Sequence, residues 1–242
     1  MPERGFVRQV AGLDAIEAAL DSGDPLRLVL YLSESSDPRL ETLVDRARSL
    51  GIRVRPTSAS VLWRLSRVRP PEDALALVGD RPDASLEALF KAGGAVWLLV
   101  GVTYPGNAGF AIRTAEVSGA DGIVLSADFD HEAKRQAVRA SMRADWYMPV
   151  LWIDWRTTID ESRAHGFSII GIEDVGRSAP WEIDLTGPVL LVVGAEEHGI
   201  PEDLLEQCDH TVRIPMQGFI RSYNLQVAVA VVSVERLRQL NG

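Results

Sequence analysis

The sequence has a single cysteine and no long apolar run. Cys208 is the only cysteine among 242 residues, which excludes an intramolecular disulfide framework and a cysteine-rich zinc site. The longest nearly apolar run, 92–102, is far shorter than the roughly 20 residues of a membrane-spanning helix. No apolar signal core follows the first few residues. We therefore expect a cytoplasmic protein without a membrane segment.

The common nucleotide-binding and metal-binding motifs are also absent from the sequence. No G-x-G-x-x-G follows an apolar strand pattern, and no G-x-x-x-x-G-K-[ST] occurs. No H-x-x-x-H and no Cys/His cluster offers metal ligands. The four histidines stand singly, at His131, His165, His198 and His210. We expect neither a phosphate-loop enzyme nor a metal site.

Positive charge is scarce, and it is unevenly distributed. The chain has 25 Lys and Arg against 34 Asp and Glu, a formal charge of −9, which argues against a nucleic-acid-binding protein because phosphates require a basic face. Within 46–71, however, there is no acidic residue and there are seven arginines: Arg46, Arg48, Arg53, Arg55, Arg64, Arg67 and Arg69. This run is either a phosphate-binding surface or a solvated face of a lysine-poor chain. Charge alone does not separate the two interpretations.

The apolar patterns divide the chain into two α/β parts. In the first part helical and strand patterns alternate, which predicts a small α/β sandwich, and a turn-rich stretch follows at 79–84. In the second part short continuous apolar runs are typical of strands buried on both faces of a mostly parallel sheet. These runs are 96–102, 122–125, 150–153, 168–172 and 189–193, and a helical pattern follows at 224–240. We place a first domain at 1–82, a linker at 83–94 and a second domain at 95–242.

Ligands of a parallel sheet bind beyond the carboxyl ends of its strands, so the loops after Val102, Val193 and Ile214 are candidate sites. In the first loop, Asn107 has the position of an N-cap for a helix starting near Gly109. Arg113 follows among apolar neighbours, where its guanidinium can bind a carboxylate or a phosphate.

The second and third loops contain further polar residues. Glu196 lies in a strand-to-helix turn between Gly194 and Gly199, which allow close approach of a ligand to the backbone. It is either a partner of a helix dipole or a polar anchor of a site. In the third loop, Ser222 and Asn224 have good positions for capping the terminal helix.

Together the three loops resemble the motifs of a known family. In order and approximate spacing they are similar to those of the SpoU/TrmH branch of the SPOUT methyltransferases. The matching stretches are Asn107-x-Gly109-x-x-x-Arg113-Thr114, Gly194-x-Glu196-x-x-Gly199, and Ile214-Pro215-Met216 followed by Ser222-x-Asn224. The stretch 139–142 is also familiar from this family, and residues 1–80 resemble the ribosomal-protein-like RNA-binding domain often found ahead of it.

The resemblance implies a methyltransferase that uses S-adenosylmethionine, without a metal, to methylate a ribose 2′-hydroxyl of structured RNA, ribosomal RNA rather than transfer RNA. It also implies a trefoil knot in the second domain and a homodimer formed through that domain. The implied cofactor-binding residues are Gly194, Ile214, Met216, Tyr223 and Asn224. The implied catalytic residues are Arg113, Asn107, Glu196, Ser222 and Asn224. We expect RNA contacts from Arg53, Arg55, Arg64, Arg67 and Arg139.

Three positions depart from the family pattern, and two other functions stay open. The family commonly has leucine at Tyr223, serine at Gln226 and glycine at Arg143. The first two departures favour a knotted, dimeric RNA-binding protein whose cofactor pocket has decayed. The net negative charge favours a methyltransferase of this fold that acts on an acceptor other than RNA.

Overall fold

The chain divides into two units, Met1–Arg81 and Pro82–Gly242, each with its own hydrophobic core. The structure is a computed structural model that describes residues 8–79, 85–220 and 222–242. Residue 82, where the sequence places the end of the first domain, lies outside the described residues.

The first unit is built on a four-stranded mixed sheet. Its elements are β1 (Arg8–Ala11), α1 (Leu13–Asp21), β2 (Leu26–Leu32), α2 (Pro38–Ser49), β3 (Arg53–Thr57), α3 (Ala59–Leu65) and β4 (Ala74–Val78). The strand order is β1-β4-β2-β3, with β4 antiparallel to both neighbours and β2 parallel to β3. Helices α1 and α2 bury Ile16 and Leu43 against the sheet. Strand β3 lies at the edge, where Arg53 and Arg55 are exposed.

The second unit is built on a six-stranded sheet whose pairings are all parallel. Its elements are α4 (Leu86–Lys91), β5 (Ala95–Val100), α5 (Pro105–Val117), β6 (Gly122–Ser126), α6 (His131–Ala140), β7 (Val150–Leu151), α7 (Trp155–Ala164), β8 (Ser168–Ile172), β9 (Val189–Val193), α8 (Glu202–Leu205), β10 (His210–Val212) and α9 (Leu225–Asn241). The strand order is β10-β8-β9-β5-β6-β7. The predicted α/β fold with a mostly parallel sheet is confirmed.

Helices cover both faces of this sheet, which explains the continuous apolar runs. In β5, Trp97 and Leu99 belong to one core cluster, whereas Val96 and Leu98 belong to the cluster on the opposite face. Because successive side chains of a strand point to opposite faces, every position must be apolar when both faces are buried. The apolar run at 150–153 forms a shorter strand than predicted, only Val150–Leu151.

The interval 83–94, predicted to be a linker, contains helix α4. The Ser85 hydroxyl accepts a hydrogen bond from the backbone N–H of Ala88 at 3.2 Å and so caps this helix. Leu89 and Phe90 are buried in the second unit, where the ring of Phe90 meets that of Phe167 edge to face at 4.8 Å. Six helical residues are too few to show a periodic pattern in the sequence. The described part of this interval is therefore an element of the second unit.

Helix α9 carries apolar side chains on more than one face. Leu225, Val229 and Val232 are buried in the core, whereas Val234 is 64% and Leu240 50% exposed. A helix that is apolar on most sides is normally covered by protein or lipid. In the part of the chain that the structure describes, no helix has the length and apolar character needed to cross a bilayer.

Gly109 sets the distance between α5 and α6. A Cβ atom at this position would lie 2.5 Å from the carbonyl oxygen of Ala137 and 2.5 Å from the Cβ of Ala140. Both contacts are closer than van der Waals packing allows. The glycine therefore lets α6 lie directly against the helix that carries Asn107 and Arg113.

We predict that Gly109→Ala lowers the free energy of unfolding by about 1–3 kcal/mol, because α6 must move to relieve the overlap. Urea denaturation followed by circular dichroism measures this loss. The matched control is Gly106→Ala in the same helix, where an added Cβ meets no atom within 4 Å in the described structure. The control should be at least as stable as the original chain, because alanine favours a helix more than glycine does, and equal stability of both variants would contradict the packing argument.

Candidate active site

A cavity of about 440 Å³ lies at the carboxyl ends of β8 and β9, beside the segment that follows β10. This volume is in the range of small-molecule sites. Four of the five predicted cofactor-binding residues line it: Gly194, Ile214, Met216 and Tyr223. The fifth, Asn224, is absent from the described lining and is the residue that precedes α9. Ser222 and Glu196, predicted to be catalytic, also line the cavity.

The carboxylate of Glu196 joins three segments at this edge of the sheet. Glu196 itself follows β9, and its Oε1 accepts a hydrogen bond from the backbone N–H of Leu225, the first residue of α9, at 3.1 Å. Both carboxylate oxygens accept from the side-chain amide of Asn107 in α5, each at 3.1 Å. A carboxylate at a helix N-terminus also interacts favourably with the helix dipole. The contact with α9 confirms the first of the two roles that the sequence left open, and the role as a polar anchor of a ligand site stays a prediction.

The prediction that Asn107 is an N-cap is wrong. Helix α5 begins at Pro105, because the fixed φ of proline suits the first position of a helix. Asn107 therefore lies inside the first turn, and its side chain donates to Glu196 instead of accepting from its own helix. Asn224 does occupy the N-cap position of α9, but its side chain makes no capping hydrogen bond, and Glu196 accepts from that helix end instead.

Two glycines and a second carboxylate shape the turn that carries Glu196. A side chain at Gly194 would collide with the backbone of Gly199, and Gly199 has a φ of +65°, a conformation that favours glycine. Glu173, directly after β8, accepts a hydrogen bond from the backbone N–H of Ile200 at 2.8 Å. The sequence interpretation missed Glu173 because no motif includes it. The sequence feature that could have identified Glu173 is its position immediately after a predicted strand.

The cavity is lined by acidic side chains. Glu173, Asp174, Glu196 and Glu197 all contribute to its walls. Arg213 also lines the cavity, but four carboxylates against one guanidinium leave the wall net negative, so the cavity favours a cationic ligand. Among the described residues, no group of three or more His, Cys, Asp or Glu has an arrangement that could hold a metal ion.

Tyr223, which replaces the leucine common in the family, connects the two ends of the third loop. Its hydroxyl donates a hydrogen bond to the carbonyl oxygen of Pro215 at 3.2 Å, and its ring is 43% exposed while lining the cavity. Gln226 has a buried Oε1 atom without a hydrogen-bond partner in the described residues.

The third departure, Arg143, is in the left-handed region with a φ of +64°, where glycine is more favourable. Its guanidinium pairs with Asp145 at 2.9 Å and lies 5.1 Å from the ring centre of Trp146. These two contacts hold the arginine in this position.

Arg113 is exposed on α5 and lies outside the lining of the cavity. It has no hydrogen-bond or ion-pair partner within the described ranges, so its guanidinium is available to a ligand. The six steps along the helix from Asn107 to Arg113 correspond to a rotation of about 240° around the helix axis. Arg113 therefore projects from a different side of α5 than the side that meets Glu196.

Several of the arginines singled out in the sequence form ion pairs, and others do not; the prediction that they contact RNA stays a prediction. Arg46 pairs with Asp21 at 2.6 Å and Arg48 with Asp45 at 2.9 Å, so the start of the arginine run is neutralised locally. Arg139 pairs with Glu132 at 2.7 Å. Four predicted residues are exposed on or after β3, namely Arg53, Arg55, Arg64 and Arg67; we call them the arginine-rich segment.

Cys208 is half-buried and is not among the residues that line the cavity. Burial, with a smaller contribution from Asp209, raises the pKa of its thiol to about 11. The thiol therefore stays protonated at neutral pH and is a poor nucleophile.

Both units match families of known proteins. Residues 95–234 match the SpoU rRNA methylase family, and residues 9–82 match the family described as RNA 2′-O ribose methyltransferase substrate binding. The chain is 30% identical over 239 residues to the 23S rRNA (guanosine-2′-O-)-methyltransferase RlmB of Bordetella pertussis, covering 96% of this chain and 98% of that protein. It is 29% identical to RlmB of Haemophilus influenzae over 97% of this chain and 98% of the relative.

Solved structures of methyltransferases are also similar to this chain. An AdoMet-bound rRNA methyltransferase from Sinorhizobium meliloti superposes with a TM-score of 0.63 at 26% identity, covering 96% of this chain and 87% of that chain. The SpoU methyltransferase AviRb from Streptomyces viridochromogenes superposes with a TM-score of 0.61 at 25% identity, covering 96% and 89%. Since a family model matches more than half of the chain and the relatives cover nearly all of it, this chain belongs to the SpoU rRNA methylase family.

Proposed function

We propose that this protein transfers a methyl group from S-adenosylmethionine to a ribose 2′-hydroxyl of ribosomal RNA. The observation that carries the proposal is the Glu196 carboxylate, which joins the three motif segments at the cavity. The relatives named as 23S rRNA methyltransferases favour ribosomal over transfer RNA. With ribosomal RNA as the substrate, we expect the protein to act in the cytoplasm.

The cavity fits this cofactor in charge and size. S-adenosylmethionine carries its methyl group on a positively charged sulfur, which is a good leaving group and needs no metal. The carboxylates in the wall complement this charge, and the Gly194–Gly199 turn lets the ligand approach the backbone. Tyr223 lines the space and leaves about 440 Å³ open, which speaks against a decayed pocket.

In this proposal Arg113 acts on the acceptor. A ribose hydroxyl is a very weak acid, so negative charge develops on its oxygen as its proton passes to solvent, before the oxygen accepts the methyl group. A guanidinium remains charged at neutral pH and stabilises that oxygen electrostatically. Asn107 and Glu196 then act as positioning residues, because they fix α5 against the cavity. Ser222 lines the cavity and Asn224 precedes α9, and we assign both to the positioning of the cofactor or the ribose.

We further propose a homodimer formed through the second unit, with a trefoil knot around the cavity. Exposed apolar side chains of α9, such as Val234 and Leu240, need a partner surface. Arg113 lies outside the cavity of its own chain, so a second copy of the chain is a suitable source of this side chain. We assign RNA binding to residues 1–82 and catalysis to 95–242, with α4 belonging to the second unit.

Arg113→Ala should reduce methyl transfer to ribosomal RNA by about a hundredfold or more, the usual effect of removing one electrostatic stabiliser. Cofactor affinity, measured by calorimetry, should stay within a few-fold, because Arg113 does not line the cavity. Arg177→Ala is the matched control, since Arg177 is also exposed in the second unit and has no partner among the described residues. Full activity of the Arg113 variant would contradict its role.

Glu196→Ala should weaken binding of S-adenosylmethionine by roughly tenfold, because hydrogen bonds to a charged group are lost at the cavity wall. Isothermal titration calorimetry measures the change. Glu197→Ala removes the neighbouring carboxylate, which makes no hydrogen bond to Asn107 or to the backbone of Leu225, and should have a much smaller effect. Equal losses in both variants would mean that charge alone, and not the joining of segments, determines affinity.

The arginine-rich segment should determine the salt dependence of RNA binding. Replacing its four arginines by glutamine should lower the log–log slope of affinity against salt by roughly 0.7 to 0.9 for each lost phosphate contact. Cofactor affinity should be unchanged, since these residues lie in the other unit.

The control for this experiment is the double variant Arg46→Gln and Arg48→Gln, whose arginines already pair with Asp21 and Asp45. Its salt slope should equal that of the original chain. If the quadruple variant also keeps the original slope, the segment is only a solvated face.

A further inference from the structure

Trp63 is a large aromatic side chain left on the surface of the first unit. It lies on α3 and is 55% exposed, whereas its neighbour Leu62 is 2% exposed and anchors the helix. Tryptophan is usually among the more buried side chains. Since Leu62 already attaches α3 to the core, the folding of this unit does not require an indole at position 63.

The guanidinium of Arg69 is held against the indole. Its central carbon lies 5.0 Å from the ring centre of Trp63, within the distance of a cation–π interaction. One nitrogen of Arg69 donates to the carbonyl oxygens of Ser66 and Val68. The other guanidinium nitrogens have no partner within the described ranges, so they can still bind an anion.

The loop that presents Arg69 is itself fixed by hydrogen bonds. The side-chain amide of Gln9 in β1 donates to the carbonyl oxygen of Leu65 at 2.9 Å and accepts from the backbone N–H of Arg67 at 3.1 Å. The Ser66 hydroxyl accepts from the backbone N–H of Val68 at 3.1 Å. The ring and the guanidinium are therefore arranged before any ligand binds, which lowers the entropy cost of binding.

The surroundings of the ring favour an anionic ligand. Trp63 lies within the stretch 46–71, which contains no acidic residue. The next carboxylates along the chain are Glu72, which is exposed, and Asp73, which accepts a hydrogen bond from Ser35 at 2.5 Å. An exposed indole beside free arginine N–H groups matches a ligand that combines flat apolar rings with phosphates. Nucleic acid has this combination.

We propose that Trp63 is a stacking platform for an unpaired nucleobase of the RNA substrate, with Arg69 binding an adjacent phosphate. This inference rests on the RNA substrate proposed above. The base must be unpaired, because bases inside a duplex already stack on both neighbours and present only their edges. The first unit then recognises a loop, a bulge or a single-stranded segment, and not only the charge of the backbone.

The test compares full-length variants for binding to a single-stranded oligoadenylate of about twelve nucleotides, because stacking tolerates any base. Trp63→Leu keeps an apolar side chain but removes the aromatic ring, and it should weaken binding between about fivefold and a hundredfold. Trp63→Tyr should retain most of the affinity. The salt slope should stay unchanged in both variants, since neither loses a phosphate contact.

Two controls separate stacking from a general loss of structure. Trp181→Leu removes an indole of similar exposure, 53%, from the second unit and should not change the affinity. Binding of a fully paired RNA duplex should be the same for Trp63→Leu and the original chain. Failure of the original chain to bind oligoadenylate, an unchanged affinity in Trp63→Leu, or an equal loss on the duplex would each overturn the stacking inference.

Methyl transfer to ribosomal RNA, measured on the same preparations, distinguishes this inference from the proposed function. If the original chain methylates ribosomal RNA while Trp63→Leu binds oligoadenylate normally, only the stacking inference fails. If Trp63→Leu loses oligoadenylate affinity but the original chain transfers no methyl group, the proposed reaction fails and the stacking site stands.

Discussion

The candidate site depends on one interaction at the edge of the sheet, the sharing of the exposed Glu196 carboxylate between the side chain of Asn107 and the backbone N–H of Leu225. The amides at the start of a helix have no partner in the helix itself, so α9 needs an acceptor from elsewhere. The loop after β9 supplies it, and the same two oxygens fix the first turn of α5. Three segments far apart in sequence thereby share one charged group.

The rest of the second unit keeps that carboxylate in place. The strand order β10-β8-β9-β5 brings the carboxyl ends of these parallel strands to one edge of the sheet. Gly194 and Gly199 allow the tight turn, and Glu173 of the neighbouring strand end holds its far side through Ile200. On the other side, Gly109 lets α6 pack directly on α5. The glycines of the motifs thus allow the backbone segments around the Glu196 carboxylate to pack closely.

The sequence predicted most strands of the second sheet but did not predict the partners of the polar groups. Strands β8 and β9 were predicted at their observed bounds because burial on both faces requires continuous apolar runs. Helix α4 was missed because it is short. Asn107 was predicted to be a cap because the oxygen of an asparagine side chain can accept a hydrogen bond from its own helix. In the structure the nitrogen of the same side chain donates to the distant Glu196 instead. Which group an amide or carboxylate meets depends on the tertiary fold, as the contact between Glu173 and Ile200 also demonstrates.

The negative net charge and an RNA substrate are compatible because the charges have different locations. The acidic residues of the second unit include the four carboxylates of the cavity wall, where they complement a cationic cofactor. The first unit presents exposed arginines on and after β3, and screening limits the reach of a charge to about 10 Å at moderate ionic strength. A phosphate near Arg53 or Arg64 therefore responds to the local field and hardly to the chain's total of −9. Net charge is a poor guide to binding when opposite charges are concentrated in two different units.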